Sequence, residues 1–280
     1  MSKLQGLLFA LATVVLVAVS TYYFVARDWL PELHSDRGAI DAAIWWSLLV
    51  TGIVFIATNL LLAYFTWRYS DTPGAKAAYW HDSPKLEISW TAVTAAILLV
   101  FLFNALNLWG SLVDPKTIPA DAVTIEVTAQ QFAWNFRYPG QDGQFGKTDV
   151  KLADPEMGNF LGTDTKDPAT ADDIVTPQGV LVVPEGRTVL LKIRSLDVIH
   201  SFFLPNFRVK QDAMPGLTIQ TWFKPTKAGK YEIACAEHCG LGHYKMKGTM
   251  FVLAADAFQA AMASQEAFDA ASGPLTQPTQ

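Results

Sequence analysis

The segment Cys235-Ala-Glu-His-Cys239-Gly-Leu-Gly-His243-Tyr-Lys-Met246 gathers side chains that can hold a metal. It contains both cysteines of the 280-residue chain, two of its five histidines and a methionine. Thiolate, imidazole and thioether are the soft and borderline donors that copper prefers. His200, in Asp197-Val-Ile-His200-Ser-Phe-Phe, lies upstream where a strand is expected to end. A mononuclear blue-copper site needs one cysteine, two histidines and a weak axial ligand, so the second cysteine requires an explanation. Zinc accepts two Cys and two His, but Cys-x3-Cys-x3-His sits at the edge of the usual zinc spacings and has no use for Met246. A disulfide between Cys235 and Cys239 leaves two histidines and a methionine converging for no reason. Two copper ions bridged by both thiolates use every donor. Each ion takes one histidine, and Met246 and the Glu237 carbonyl serve as weak axial ligands.

The loop pattern Cys-x-Glu-x-Cys-x3-His-x2-Met, with the upstream Asp-x-x-His, resembles subunit II of the haem–copper cytochrome c oxidases. Other segments agree in the same order. His81-Asp-Ser-Pro-Lys-Leu-Glu87-Ile-Ser-Trp90-Thr resembles the start of that family's last membrane helix, and Gln131-Phe-Ala-Trp134-Asn-Phe-Arg-Tyr its aromatic segment. Lys210-Gln-Asp212-Ala-Met-Pro-Gly216 resembles the loop between the histidine strand and the copper loop. One histidine from a distant strand and the remaining ligands on one loop is also how cupredoxin-type β-sandwiches hold copper.

The resemblance implies a binuclear CuA centre of two copper ions on His200, Cys235, Glu237, Cys239, His243 and Met246. His200 and Met246 would serve one ion, and His243 and the Glu237 carbonyl the other. It also implies that the Glu237 side chain binds Mg2+ at the interface with subunit I, a hard ion suited to a carboxylate. A plain surface acid is the alternative. Glu87 would form the mouth of a proton channel that continues in subunit I, where the plain reading is a solvated carboxylate at the membrane edge. The aromatic segment departs from the family's Gln-Trp-x-Trp, whose first Trp receives electrons. Here that position is Phe132, which is harder to oxidise, and Trp134 matches the second. Electrons would enter through Trp134 or tunnel directly to copper. His238 is not a ligand position, and His34 and His81 are expected near membrane surfaces with no chemistry implied.

Hydrophobic residues make up 51% of the chain and charged ones 17%, a composition rich in apolar residues for a soluble protein. Leu4 to Ala26, Ala42 to Trp67 and Ile88 to Val113 each run without a charge and exceed the ~20 residues a spanning helix needs. The first, with Lys3 ahead of it and Ala18-Val-Ser20 within it, also fits a cleaved secretory signal, although its length favours a retained helix. Arg68, Lys76 and Lys85 between the second and third spans put that loop in the cytoplasm. The part after Val113 then faces the periplasm. The organisation expected is residues 1–27 a first helix or signal, 28–113 a two-helix membrane hairpin, and 114–120 a linker. Residues 121–255 would form an all-β cupredoxin-like domain, followed over 256–280 by an Ala-rich helix and, from Gly273, a disordered tail. Within the β domain, residues 142–178 read as an acidic excursion with eight Asp or Glu against three Lys up to Asp173. Such a run is either a solvated loop or a docking face that steers a basic partner.

No Cys-x-x-Cys-His occurs, so no c-type haem is attached to these residues and the donor would be a separate protein. The chain is therefore expected to be a multi-pass subunit of a bacterial-type plasma membrane. It would take electrons from cytochrome c or a similar donor and pass them to haem in subunit I, where oxygen is reduced and protons are pumped. Other oxidase subunits and membrane lipid are the further partners expected, and nucleic acid is not. The alternative is a membrane-tethered copper protein that relays electrons to another reductase, such as a nitric oxide reductase, or carries copper.

Overall fold

Three helices among the described residues are long and apolar enough to cross a membrane: α1 (Lys3–Val25), α2 (Gly38–Arg68) and α3 (Pro84–Val113). The structure is a computed structural model that describes residues 2–276 apart from 72, 73, 75, 77, 155, 177 and 178. At ~1.5 Å rise per residue each helix exceeds the ~30 Å hydrocarbon core. Their side chains are apolar on every face and mostly exposed within the chain, which suits lipid rather than water. α2 and α3 begin at Gly38 and Pro84, one turn before the charge-free runs. Asp41 and Glu87 occupy those first turns, where the helix dipole favours negative charge. Gly6 lets α1 approach α2 closely, since a Cβ there would lie 2.8 Å from the Ser70 Cβ and 3.0 Å from the Thr66 carbonyl oxygen.

The second unit is a β-sandwich. Its strands are β1 (Val123–Gln130), β2 (Ala133–Tyr138), β3 (Ile174–Thr176), β4 (Val180–Pro184) and β5 (Val189–Ser195). They continue as β6 (His200–Leu204), β7 (Val209–Ala213), β8 (Ile219–Phe223), β9 (Gly229–Cys235) and β10 (Lys247–Leu253). One sheet runs β3-β2-β1-β5-β8 and the other β4-β10-β9-β6-β7. Alternation decides which face turns inward: on β5, Val189, Leu191 and Ile193 are buried while Leu190, Lys192 and Arg194 are partly exposed. Trp134, Phe136, Phe202 and Phe251 fill the space between the sheets. Helices α4 (Ala255–Ala261) and α5 (Gln265–Thr276) follow, with Phe268 packed on Tyr138 at 5.6 Å between ring centroids. That contact gives α5 a packed side, and its helical backbone continues past Gly273, where the sequence suggested a disordered tail; residues 277–280 lie outside the described residues.

Residues 32–38, expected within the membrane hairpin, fold instead with the β-sandwich. The His34 amide donates to Asn206 O at 2.8 Å, and the Thr226 amide donates to His34 O at 2.9 Å. The Ser35 hydroxyl donates to Phe207 O at 2.9 Å. Arg37 is buried and donates to the carbonyls of Arg208 and Trp222 and to the Thr221 hydroxyl. This strap covers part of the sandwich margin after β8. It also draws the His34 ring into a buried contact with Tyr231, 5.3 Å between centroids.

Among its described residues, the acidic excursion is irregular apart from short 3-10 turns at Val150–Leu152 and Pro168–Thr170 and strand β3. Two arginines fasten it. Arg137 on β2 pairs with Glu126 and with Asp173 and donates to Gly146 O; Arg194 on β5 donates to Thr128, Thr148 and Leu161 O. Its carboxylates largely cap their own turns. Asp149 accepts from Lys151 N, Asp154 from Glu156 N, Asp164 from Lys166 N, and Asp167 from Lys147 N and Ala169 N.

Candidate metal centre

Strand order places the donors. β6 and β9 are neighbours, with Phe202 opposite Cys235, so the start of β6 meets the end of β9. His200 opens β6, Cys235 closes β9, and Met246 immediately precedes β10. The loop between is pinned at its base by Ala236 N to Ser201 O at 2.9 Å and Cys235 N to Met246 O at 3.2 Å.

The five side chains expected as ligands converge. The Cys235 and Cys239 sulfurs are 3.9 Å apart and both cysteines are free. Cys239 Sγ lies 3.7 Å from His243 Nδ1 and 3.7 Å from Met246 Sδ. His200 Nδ1 is 3.1 Å from Met246 Sδ, and the Cys235 thiol lies 3.2 Å from Glu237 O. Donor atoms of His200, Cys235 and Cys239 fall within 4.8 Å of one another. Two soft sulfurs at the middle, with a His–Met pair on one side and a second His and a carbonyl also at hand, fit a pair of copper ions by donor chemistry.

His200 is fully buried, and its ring is aimed. Nε2 bonds Asp197 Oδ1 at 2.9 Å, which leaves Nδ1 facing the sulfurs. Burial pushes the Asp197 carboxyl up, but bonds from His200 and from the Gln131 and Val198 amides outweigh it and hold the carboxyl below its ordinary value. Burial, with the Cys235 sulfur beside it, pushes the Cys239 thiol up to about 11. A thiol so placed keeps its proton until a metal ion displaces it.

The remaining sequence candidates fall in different places. The Glu237 side chain is exposed and makes no hydrogen bond or ion pair among the described residues. His238 is exposed, its ring 5.5 Å from that of His243. Trp134 has no exposed surface; its ring lies 6.1 Å from that of His200 and 5.2 Å from that of Phe202. A docked donor could not touch it. Phe132 is 39% exposed, and its ring lies over the loop glycines, so close that a Cβ on Gly242 would meet Phe132 Cδ2 at 2.4 Å. Glu87 belongs to the helical unit, in a recess of about 350 Å3 lined also by Trp80, His81 and Trp90. The sequence reading assigned no role to Asp197 or Gln131; the Asp-x-x-His spacing was the available signal for the first.

Comparison with known proteins gives the lineage. Residues 123–252 match the family description "Cytochrome C oxidase subunit II, periplasmic domain". The chain is 36% identical over 261 residues to an alternative cytochrome c oxidase subunit 2 of Bradyrhizobium diazoefficiens, covering 92% of each. The chain belongs to the cytochrome c oxidase subunit II family. It is also 31% identical over 225 residues to the cytochrome c oxidase subunit 2 of Cereibacter sphaeroides, covering 76% of this chain and 71% of that one. Among solved structures it is similar to the periplasmic domain of cytochrome oxidase subunit II of Bradyrhizobium japonicum. That likeness has 30% identity and a TM-score of 0.38, and covers 52% of this chain and 94% of that one. In this family the cupredoxin-like outer domain binds copper and serves respiratory electron transport.

Proposed function

We propose that this subunit II takes single electrons from cytochrome c, or a donor like it, at a binuclear CuA centre and passes them to haem in subunit I. There oxygen would be reduced with proton pumping. The observation that carries the reading is the position of Cys239 Sγ, 3.7 Å from both His243 Nδ1 and Met246 Sδ, with a second free cysteine sulfur 3.9 Å away. A bound copper pair held by these residues would supply one-electron exchange at low reorganisation. The chain's own residues hold that geometry. Asp197 fixes the His200 tautomer, the Glu237 carbonyl faces Cys235, and the buried Met246 and Phe202 exclude water from the inner side.

Of the two aromatic candidates, Phe132 is the one with surface to offer a donor, and its ring sits directly on the copper loop. Electrons then reach the sulfurs by tunnelling past Phe132 rather than by oxidising it. The free Glu237 carboxylate is available to a Mg2+ shared with subunit I, and a Glu237→Ala oxidase would lose that ion while keeping copper. Glu87, at the inner end of α3, would take protons toward subunit I, and Glu87→Ala would slow turnover without changing the copper centre.

The α2–α3 connection, which contains Lys76 and is flanked by Arg68 and Lys85, would lie on the inner face by its positive charge. One-sided labelling of a cysteine placed at Lys76 should report the inner face.

The test of function is oxidation of reduced cytochrome c by the purified oxidase. Cys239→Ser should cut the rate more than 100-fold in a complex that still assembles. An unchanged rate would mean that electrons enter elsewhere.

A further inference from the structure

We infer that Gln131 is a positioning residue that ties together the two halves of the copper ligand set. The inference rests on the copper reading above. Gln131 and Phe132 form the tight connection between β1 and β2, where Gln130 faces Ala133. The Gln131 amide N–H donates to Asp197 Oδ2 at 2.6 Å, while the other oxygen of that carboxylate holds His200 Nε2. The Gln131 side chain reaches the other way and donates from Nε2 to the Cys239 carbonyl at 2.5 Å. A carbonyl only accepts, so the side-chain atom facing it is the nitrogen. One residue therefore reaches His200 through a single intermediary and Cys239 directly.

The loop needs such a hold. Its later part is a short turn closed by His243 N to Gly240 O and Met246 N to His243 O. Among the described residues, the stretch from Glu237 to Cys239 has one hydrogen bond to a residue outside the loop, and that is the bond from Gln131. Gly240 makes the approach possible. It adopts φ +140°, and a Cβ there would lie 2.8 Å from Gln131 Nε2. Cys239 is the sulfur in contact with both His243 and Met246, so its backbone position sets where those two donors meet. Groups that orient metal ligands from outside contribute about 10–100-fold in metal affinity.

The test uses the full chain in detergent, loaded with copper, with Gln131→Met and Gln131→Asn. Met keeps the length and loses the donor, and Asn keeps the donor but falls short of Cys239. Gln130→Met, one residue away and with no side-chain hydrogen bond among the described residues, is the control. The wild-type chain is measured first. If it shows no binuclear copper, the copper reading fails and not this inference. Given a binuclear wild type, both Gln131 variants should unfold cooperatively yet show altered copper hyperfine splitting and a shifted visible spectrum. Each should also lose copper to a chelator at about tenfold lower chelator concentration, with the control unchanged. Folded variants whose spectrum and copper retention match the wild type overturn the inference. So does failure of both variants to fold, which would make Gln131 a structural turn residue.

Discussion

His200 Nε2 donates to the Asp197 carboxylate at 2.9 Å, and this bond turns the other imidazole nitrogen toward the sulfur cluster. Removing the acceptor leaves a buried ring with a free Nε2 and two orientations to choose from. Asp197→Ala should weaken copper binding about 10–100-fold, measured by chelator competition on the full chain. Affinity within twofold of wild type would show that packing alone aims the ring.

Gly242 lies under the Phe132 ring with no room for a methyl group. Gly242→Ala should cost about 1–3 kcal/mol through overpacking, read by denaturant unfolding. Adding Phe132→Ala removes the obstacle, so the double variant should recover most of that loss. Strict additivity of the two costs would place the ring elsewhere.

Arg137 sits between Glu126 and Asp173, nearly without exposure, and holds the excursion to β2. Arg137→Met leaves two carboxylates facing a lost cation and should destabilise the outer domain by about 3–5 kcal/mol. Proteolysis between residues 142 and 176 should rise with it. A cost below about 1 kcal/mol would mean that the capped turns hold the excursion unaided.

The converging donor side chains are legible because chemistry and spacing coincide. Cys235, Cys239, His243 and Met246 lie within one loop, and His200 follows an aspartate at fixed spacing. The three long helices were legible because lipid imposes uninterrupted apolar length. Gln131 was not, since its bonds span 66 and 108 positions of sequence and exist only once the β1–β2 connection meets the copper loop. The strap was hidden for a different reason. Leu33-His34-Ser35-Asp36-Arg37 has no strand-like alternation, and its order comes from carbonyls supplied by residues 206–208 and 222–224. Similarly, the excursion reads from sequence as either a solvated acidic loop or a docking face, and its anchoring by Arg137 and Arg194 from the strands is not visible there. Trp134 reads as suited to electron transfer by type, and its complete burial, which the sequence does not show, is why Phe132 is proposed as the surface a donor meets.

The central claim is a pair of coppers sharing two thiolates. The most direct measurement is a copper count with an EPR spectrum of the copper-loaded full chain in detergent. The account predicts two coppers per chain, a purple colour and one unpaired electron shared equally, seen as a seven-line hyperfine pattern. One copper per fully loaded chain with a four-line pattern, or colourless protein holding zinc, would contradict it.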